Sequence, residues 1–265
     1  MSAPAVTYHV EAFNTATASA NKIHDDAVAR RYGFRGGLVP GVDVYAYLTR
    51  APVQRWGLEW LRRGGVEARF VQPVYDGDRV SITAQDVNEH ELDMELTDPT
   101  GARCATARAQ LDPDPIDRPL PPAAPLPDAR PPASAESLRP GSILGSLHER
   151  FDPDQAHSYL ADVRETLAIY QDGAGGPLAH PGWLLRFANS ILARNVVLGP
   201  WIHVASDVRL LGVVGPQQLV EARGAVLDEF ERQGHRFVTL DVALLADGEL
   251  VQRVTHTAIH TPRRR

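Results

Sequence analysis

Residues 112–140, DPDPIDRPLPPAAPLPDARPPASAESLRP, hold ten of the chain's 21 prolines. Proline removes backbone donors and favours extended conformations, and the few large apolar residues of this stretch form no periodic face. It therefore reads as a semi-rigid linker running over the surface. Outward from it lie two segments of similar size, 1–111 and 141–265.

The two segments repeat one plan. Pro40-Gly41 and Pro181-Gly182 stand about 140 residues apart, as do Arg69-Phe70 and Arg209-Leu210. From glycine to arginine the spacing is 28 residues in the first half and 27 in the second. Each Pro-Gly opens an apolar helical pattern: Val42, Tyr45, Ala46 and Leu48 in one half, Leu184, Leu185, Phe187, Ala188 and Ile191 in the other. Period-two alternation follows in both. In the first half it covers 65–71, 80–87, 92–97 and 103–111. In the second it covers 203–211, 219–230, 235–245 and 250–260. Short Asp- and Gly-bearing turns at 98–101 and 246–249 mark antiparallel hairpins. One helix followed by a meander of strands, twice over, predicts an α+β duplication. A sheet wrapped around one central helix resembles the hotdog fold, and two copies joined edge to edge make a double hotdog.

The chemistry concentrates in residues 18–41, ASANKIHDDAVARRYGFRGGLVPG. This stretch resembles the hydratase-2 motif of the MaoC-like family, the (R)-specific enoyl-CoA hydratases and dehydratases. That motif runs roughly G-D-x-N-P-I-H, then A and G-F, then a glycine-rich approach to H-G-M. Asn21, Ile23, His24, Ala29, Gly33, Phe34, Gly36 and Gly41 fall in register. Residues 69–80, RFVQPVYDGDRV, are similar to the strand and turn that follow the family's helix. The likeness covers about the first 85 residues well, and the second half only as a degenerate copy. Three positions depart from it: Ser19 stands for the motif aspartate, Lys22 for a proline, and Pro40 for the histidine before the helix glycine.

In the family, aspartate and histidine hold one water between them and exchange protons with it and with the alpha carbon of an enoyl thioester. Serine is no substitute base, which leaves His24 as the acid/base candidate. The alternative for His24 is a polar loop residue bonding a carbonyl. By resemblance the Gly41 N–H polarises the thioester carbonyl, since a helix N-terminus exposes unpaired donors and glycine admits a ligand closely. Its alternative is a turn glycine. Pro40 rigidifies the start of the helix without donating. Asn21 either orients water or acyl carbonyl, or is an ordinary turn residue. Asp25 and Asp26 read as caps of a helix over 26–32, the alternative being that one of them orients the imidazole. Gly36, Gly37, Asp43 and Tyr45 are placed near the substrate, although a tyrosine such as Tyr45 is more often a core or interface aromatic. Arg30, Arg31 and Arg35 either meet coenzyme A phosphates or form a solvated face. His180 is a reserve candidate in the second half, which is otherwise assigned to structure and acyl-chain accommodation.

Composition narrows the partners. The 265 residues carry 27 basic and 33 acidic side chains, a net charge of −6, which argues against nucleic acid. The single cysteine, Cys104, forms no internal disulfide, and no Cys/His spacing marks a zinc site. No signal peptide or membrane-length apolar run is present, so a reducing cytoplasm is the expected location. No nucleotide P-loop, nucleophile elbow or H-E-x-x-H is found. Gly173-Ala-Gly-Gly176 is too short for a phosphate cradle, and Arg263–Arg265 read as a frayed tail.

Three functions follow. The first is a hydro-lyase adding water to, or removing it from, an enoyl or 3-hydroxyacyl thioester, with coenzyme A as part of the substrate and no other cofactor. The second is an acyl-CoA-binding or partner subunit without turnover. The third is a hotdog thioesterase using Asp43. A double hotdog already contains the body that single-hotdog relatives make by dimerising, and both a monomer and a homodimer of chains fit it.

Overall fold

The computed structural model describes residues 5–171 and 176–263. Residues 173–175 of the glycine loop and the last two arginines of the tail lie outside the described residues. The first half runs β1 (Val6–Glu11), α1 (Asp26–Arg31), α2 (Gly41–Trp56), α3 (Leu58–Arg63), β2 (Gly64–Phe70), β3 (Arg79–Asn88), β4 (Glu91–Thr97) and β5 (Arg103–Leu111). The second runs β6 (Ile143–Arg150), α4 (Pro153–Asp162), α5 (Pro181–Asn195), β7 (Ile202–Leu210), β8 (Leu219–Arg232), β9 (His235–Ala246) and β10 (Glu249–Thr261).

All ten strands form one sheet in the order β1-β3-β4-β5-β2-β7-β10-β9-β8-β6. Read inward from either edge, the order is the same, which is the signature of a duplicated unit. The halves meet where β2 and β7 pair antiparallel, from Gly65 opposite Arg209 to Arg69 opposite Ala205. The strands lie within two residues of the alternating runs read from the sequence, because alternation is what a strand with one buried face must show. The edge strands β1 and β6 and the helix α4 were not among those runs. β1 has only Val10 buried, so it offers little alternation to read.

Helix α2 is buried on nearly all sides, since the sheet covers one flank and α5 the other. The two helices cross closely at Gly182: a Cβ there would lie 2.7 Å from the Ala46 side chain and 3.2 Å from the Val42 carbonyl. The proline-rich stretch is pinned rather than loose. Pro132 bridges to Val197, Ala124 and Ser146 exchange hydrogen bonds, and Leu138 is fully buried in the core. Among the described residues no helix is long and apolar enough to cross a membrane.

Candidate active site

The segment before α2 is folded by its own polar residues. Asn21 starts a 3-10 turn at Lys22–His24, its Oδ1 accepting from the Ile23 N–H. The same amide reaches the other half of the molecule, accepting from the Trp201 N–H at 3.1 Å and donating to the Trp201 carbonyl at 3.0 Å. Ile23 packs with Ala29 and Leu38 in a small apolar cluster. Asp25 caps α1 by accepting from the Val28 N–H at 2.9 Å, as its position suggests, and Asp26 accepts from the Gly37 N–H at 2.8 Å. The chain then doubles back so tightly that a Cβ on Gly37 would overlap the His24 carbonyl. Glycine is required there by this close approach.

The doubling back fixes His24. Its Nδ1 lies 2.6 Å from the Leu38 carbonyl, so Nδ1 carries the hydrogen and donates it. Nε2 is left as the basic nitrogen, with the Asn21 amide nitrogen at a long 3.3 Å. Burial lowers the His24 pKa from its usual value, partly offset by the Leu38 carbonyl and the Asp43 charge, so the ring is neutral at neutral pH.

His24 stands where two cavities adjoin. One, of about 230 Å³, is mostly apolar and is also bordered by Gly41, Leu38, Phe70, Trp201 and His203. The other, of about 420 Å³, is bordered by Ser19, Thr15, Arg130, Arg186 and Ser190. Asn21, His24, Pro40, Asn189 and Trp201 border both. His24 and Gly41 therefore share one cavity, with Gly41 opening α2, where its N–H has no intrahelical acceptor. Ser19 shares the second cavity with His24, and its hydroxyl donates to the Asn21 carbonyl at 3.1 Å.

Several residues placed near the substrate from sequence stand elsewhere. Asp43 borders neither cavity: it is fully buried, accepting from Thr15 at 2.6 Å and Arg186 at 2.9 Å. Tyr45 is likewise fully buried in the core. An apolar-sided helix gives no sequence cue to which turn faces the ligand, and both residues face inward. Arg35 is an exposed partner of Asp78, stacked over Tyr75, and Arg30 pairs with Asp26; neither borders either of these two cavities, nor does the exposed Arg31. Gly36 and Gly37 shape the backbone under His24 without reaching the cavities. His180 is fully buried: its Nδ1 accepts from the Gly182 N–H at 3.0 Å and its ring packs against Tyr159 and Tyr170. Burial lowers its pKa to about 3, with Arg186 adding to the effect.

The second half nonetheless contributes to the site. Trp201, Asn189 and His203 reach it across the β2–β7 junction and α5, and no local spacing in the sequence announces them. The cations at the second cavity are Arg130, from the proline-rich strap, and Arg186, from α5. Among the described residues no group of His, Cys, Asp and Glu is placed to hold a metal ion.

No family model matches the sequence, and no curated protein matches it. Solved structures match along nearly the whole chain. A MaoC domain protein assigned as a dehydratase, from Chloroflexus aurantiacus J-10-fl, aligns at TM-score 0.70 and 12% identity over 98% of this chain and 95% of that one. A conserved hypothetical protein from Mycobacterium tuberculosis, with a double hotdog fold, aligns at 0.64 and 14% over 97% and 96%. A MaoC-like dehydratase aligns at 0.63 and 13% over 96% and 97%. Proteins assigned as thioesterases share the fold at TM-scores of 0.50 to 0.53. This chain has the double hotdog fold, which it shares with MaoC-like dehydratases.

Proposed function

We propose that the protein is a MaoC-like hydro-lyase acting on an enoyl or 3-hydroxyacyl thioester, with coenzyme A as the expected carrier. The observation that carries this reading is His24: its Nδ1 is locked on the Leu38 carbonyl, leaving Nε2 basic where an apolar cavity bordered by Gly41 meets a more polar one. In this reading the acyl chain occupies the apolar cavity. The pantetheine arm leaves through the second, toward Arg130 and Arg186, whose guanidinium groups suit phosphate.

In the hydration direction His24 Nε2 takes a proton from water as the water oxygen bonds to the beta carbon. The electron pair of the double bond moves toward the carbonyl, and the negative charge that develops on its oxygen is met by the Gly41 N–H. The protonated His24 then delivers the proton to the alpha carbon. One imidazole thus serves as base and acid in turn, which the absence of a carboxylate at Ser19 requires. Thioester hydrolysis by Asp43 is disfavoured by that residue's burial and its pairing with Thr15 and Arg186.

The test is purified protein with crotonyl-CoA, following both the conjugated thioester absorbance and free thiol. Absorbance lost without thiol release supports hydration, thiol release supports hydrolysis, and saturable binding with neither supports a binding subunit. His24→Ala is expected to lower the hydration rate about 10²-fold or more. Full activity in that variant refutes the site. Ser19→Asp is expected to raise the rate by restoring a carboxylate beside the same cavity.

A further inference from the structure

A buried polar chain runs from the cavity wall into the second half of the sheet. His203 Nε2 lies 2.8 Å from Ser206 Oγ, and Ser206 Oγ lies 3.0 Å from His256 Nδ1. Ser206 and His256 are fully buried, and His203 is 6% exposed. The His203 ring is wedged between Phe70, at 4.6 Å, and His256, at 4.3 Å. It borders the apolar cavity, and its Nδ1 makes no hydrogen bond among the described residues. That nitrogen lies against the first residue of α2: a Cβ on Gly41 would come within 2.7 Å of it. A buried ring nitrogen beside an unpartnered helix-start N–H, both bordering one cavity, is a pair of groups awaiting a common ligand atom.

The hydrogens of the chain can be placed by elimination. Burial, reinforced in His203 by the neighbouring His256 and only partly opposed by the Ala205 backbone, keeps both imidazoles neutral, so each carries one hydrogen. If His203 Nε2 and His256 Nδ1 both donate to Ser206, the serine hydrogen is left buried without an acceptor. If His203 donates to Ser206 and Ser206 to His256, the hydrogen on His256 Nε2 is stranded, because that atom has no partner among the described residues. The remaining arrangement has His256 Nδ1–H donating to Ser206 and Ser206 O–H donating to His203 Nε2. It leaves His256 Nε2 as an acceptor, the milder orphan, and places the unpaired hydrogen on Nδ1 of His203, the residue that borders the cavity, where a ligand can accept it. Each donor in this chain also polarises the next.

We infer that His203 Nδ1–H is a second donor to the carbonyl oxygen of the acyl thioester, acting with the Gly41 N–H, and that Ser206 and His256 are positioning residues that hold its tautomer. The inference rests on the substrate class proposed above and adds a residue from the half of the molecule that lacks the motif. It also gives Gly41 a second reason to be glycine, since any side chain there would displace the donor.

The probe is a ketone analogue of butyryl-CoA with carbon in place of the thioester sulfur and ¹³C at the carbonyl, which neither hydrates nor hydrolyses. Bound to wild type, its carbonyl resonance is expected to move downfield. His203→Gln keeps a group near Ser206 but loses the donor at Nδ1, and should remove much of that movement. His203→Asn places an amide near Nδ1 and should retain it. With crotonyl-CoA, His203→Gln should lower kcat about 10²-fold, the size of effect seen when one oxyanion donor is removed, with little change in KM. His203→Asn should stay within tenfold of wild type. Unchanged carbonyl shift and kcat in His203→Gln overturn the assignment, as does a wild-type complex with no downfield movement. Should the variants fail to fold, ¹⁵N spectra of wild-type histidine side chains decide it: a hydrogen on His203 Nδ1 is expected, and one on Nε2 overturns it. A carbonyl shift that depends on His203 without crotonyl-CoA turnover defeats the proposed reaction and leaves this donor standing. Turnover indifferent to His203 does the reverse.

Discussion

A neutral histidine with one nitrogen committed to a backbone carbonyl is a base whose direction is set before substrate arrives, and His24 has this form. Its pKa lies below the usual 6.5 because burial penalises the imidazolium more than the Leu38 carbonyl and Asp43 favour it. A general base acts when deprotonated, so a lowered pKa extends its working range toward acid. The pH profile of kcat/KM for hydration is expected to rise through a midpoint below 6.5 and to be level through neutrality. A midpoint at or above that value contradicts the assignment. His24, Asn21 and Gly41 were picked out in the sequence by their register with the family motif, and the structure brings all three to one cavity. His203 was not picked out, because its place in the cavity depends on strand pairing between residues far apart in the chain.

At the scale of elements, the tie between the two central helices is the Asp43–Arg186 pair, completed by Thr15 and covered by the Tyr159 ring, 4.3 Å from the guanidinium. Burial raises the Asp43 pKa while Arg186 and Thr15 oppose it, so the carboxylate depends on its partners. Arg186→Ala strands a buried charge and is expected to cost about 3–5 kcal/mol in urea unfolding. Asp43→Asn combined with Arg186→Met should recover most of that loss; a single variant as stable as wild type would show the pair to be unimportant. The sequence shows Asp43 at the start of the helix, where the thioesterase reading placed its carboxylate. Only the packing of α5 on α2 distinguishes a tie from a nucleophile. The long strands were legible from their alternation, whereas β1, with one buried residue, had almost none to read.

Across the whole molecule, the fold buries neutral histidines at the start of α5 and in β7 and β10: His180, His203 and His256. Burial leads the causes that lower the pKa of each, to about 3 for His180 and His256. The unfolded chain therefore binds more protons than the folded one below pH 6.5. Their contribution is complete above that value and is lost as pH falls toward 3, at about 1.4 kcal/mol per group for each pH unit. Asp43, raised by burial, works in the opposite sense and softens the slope. Urea midpoints are expected to drop steeply between neutrality and about pH 5; a level profile contradicts this account.

The duplicated architecture was legible because two matched landmarks and two sets of alternating strands recur at one offset. Which residues of the second half wall the first half's site, Asn189, Trp201 and His203, was not, since they reach it only when β2 and β7 join. The central claim is that His24 moves a proton between water and the alpha carbon of an enoyl thioester. Proton NMR of crotonyl-CoA incubated with the protein in D₂O tests it most directly. The account predicts 3-hydroxybutyryl-CoA carrying one deuterium at the alpha carbon, formed by wild type and not by His24→Ala. Crotonate and free coenzyme A, or the same hydrated product from both proteins, would contradict it.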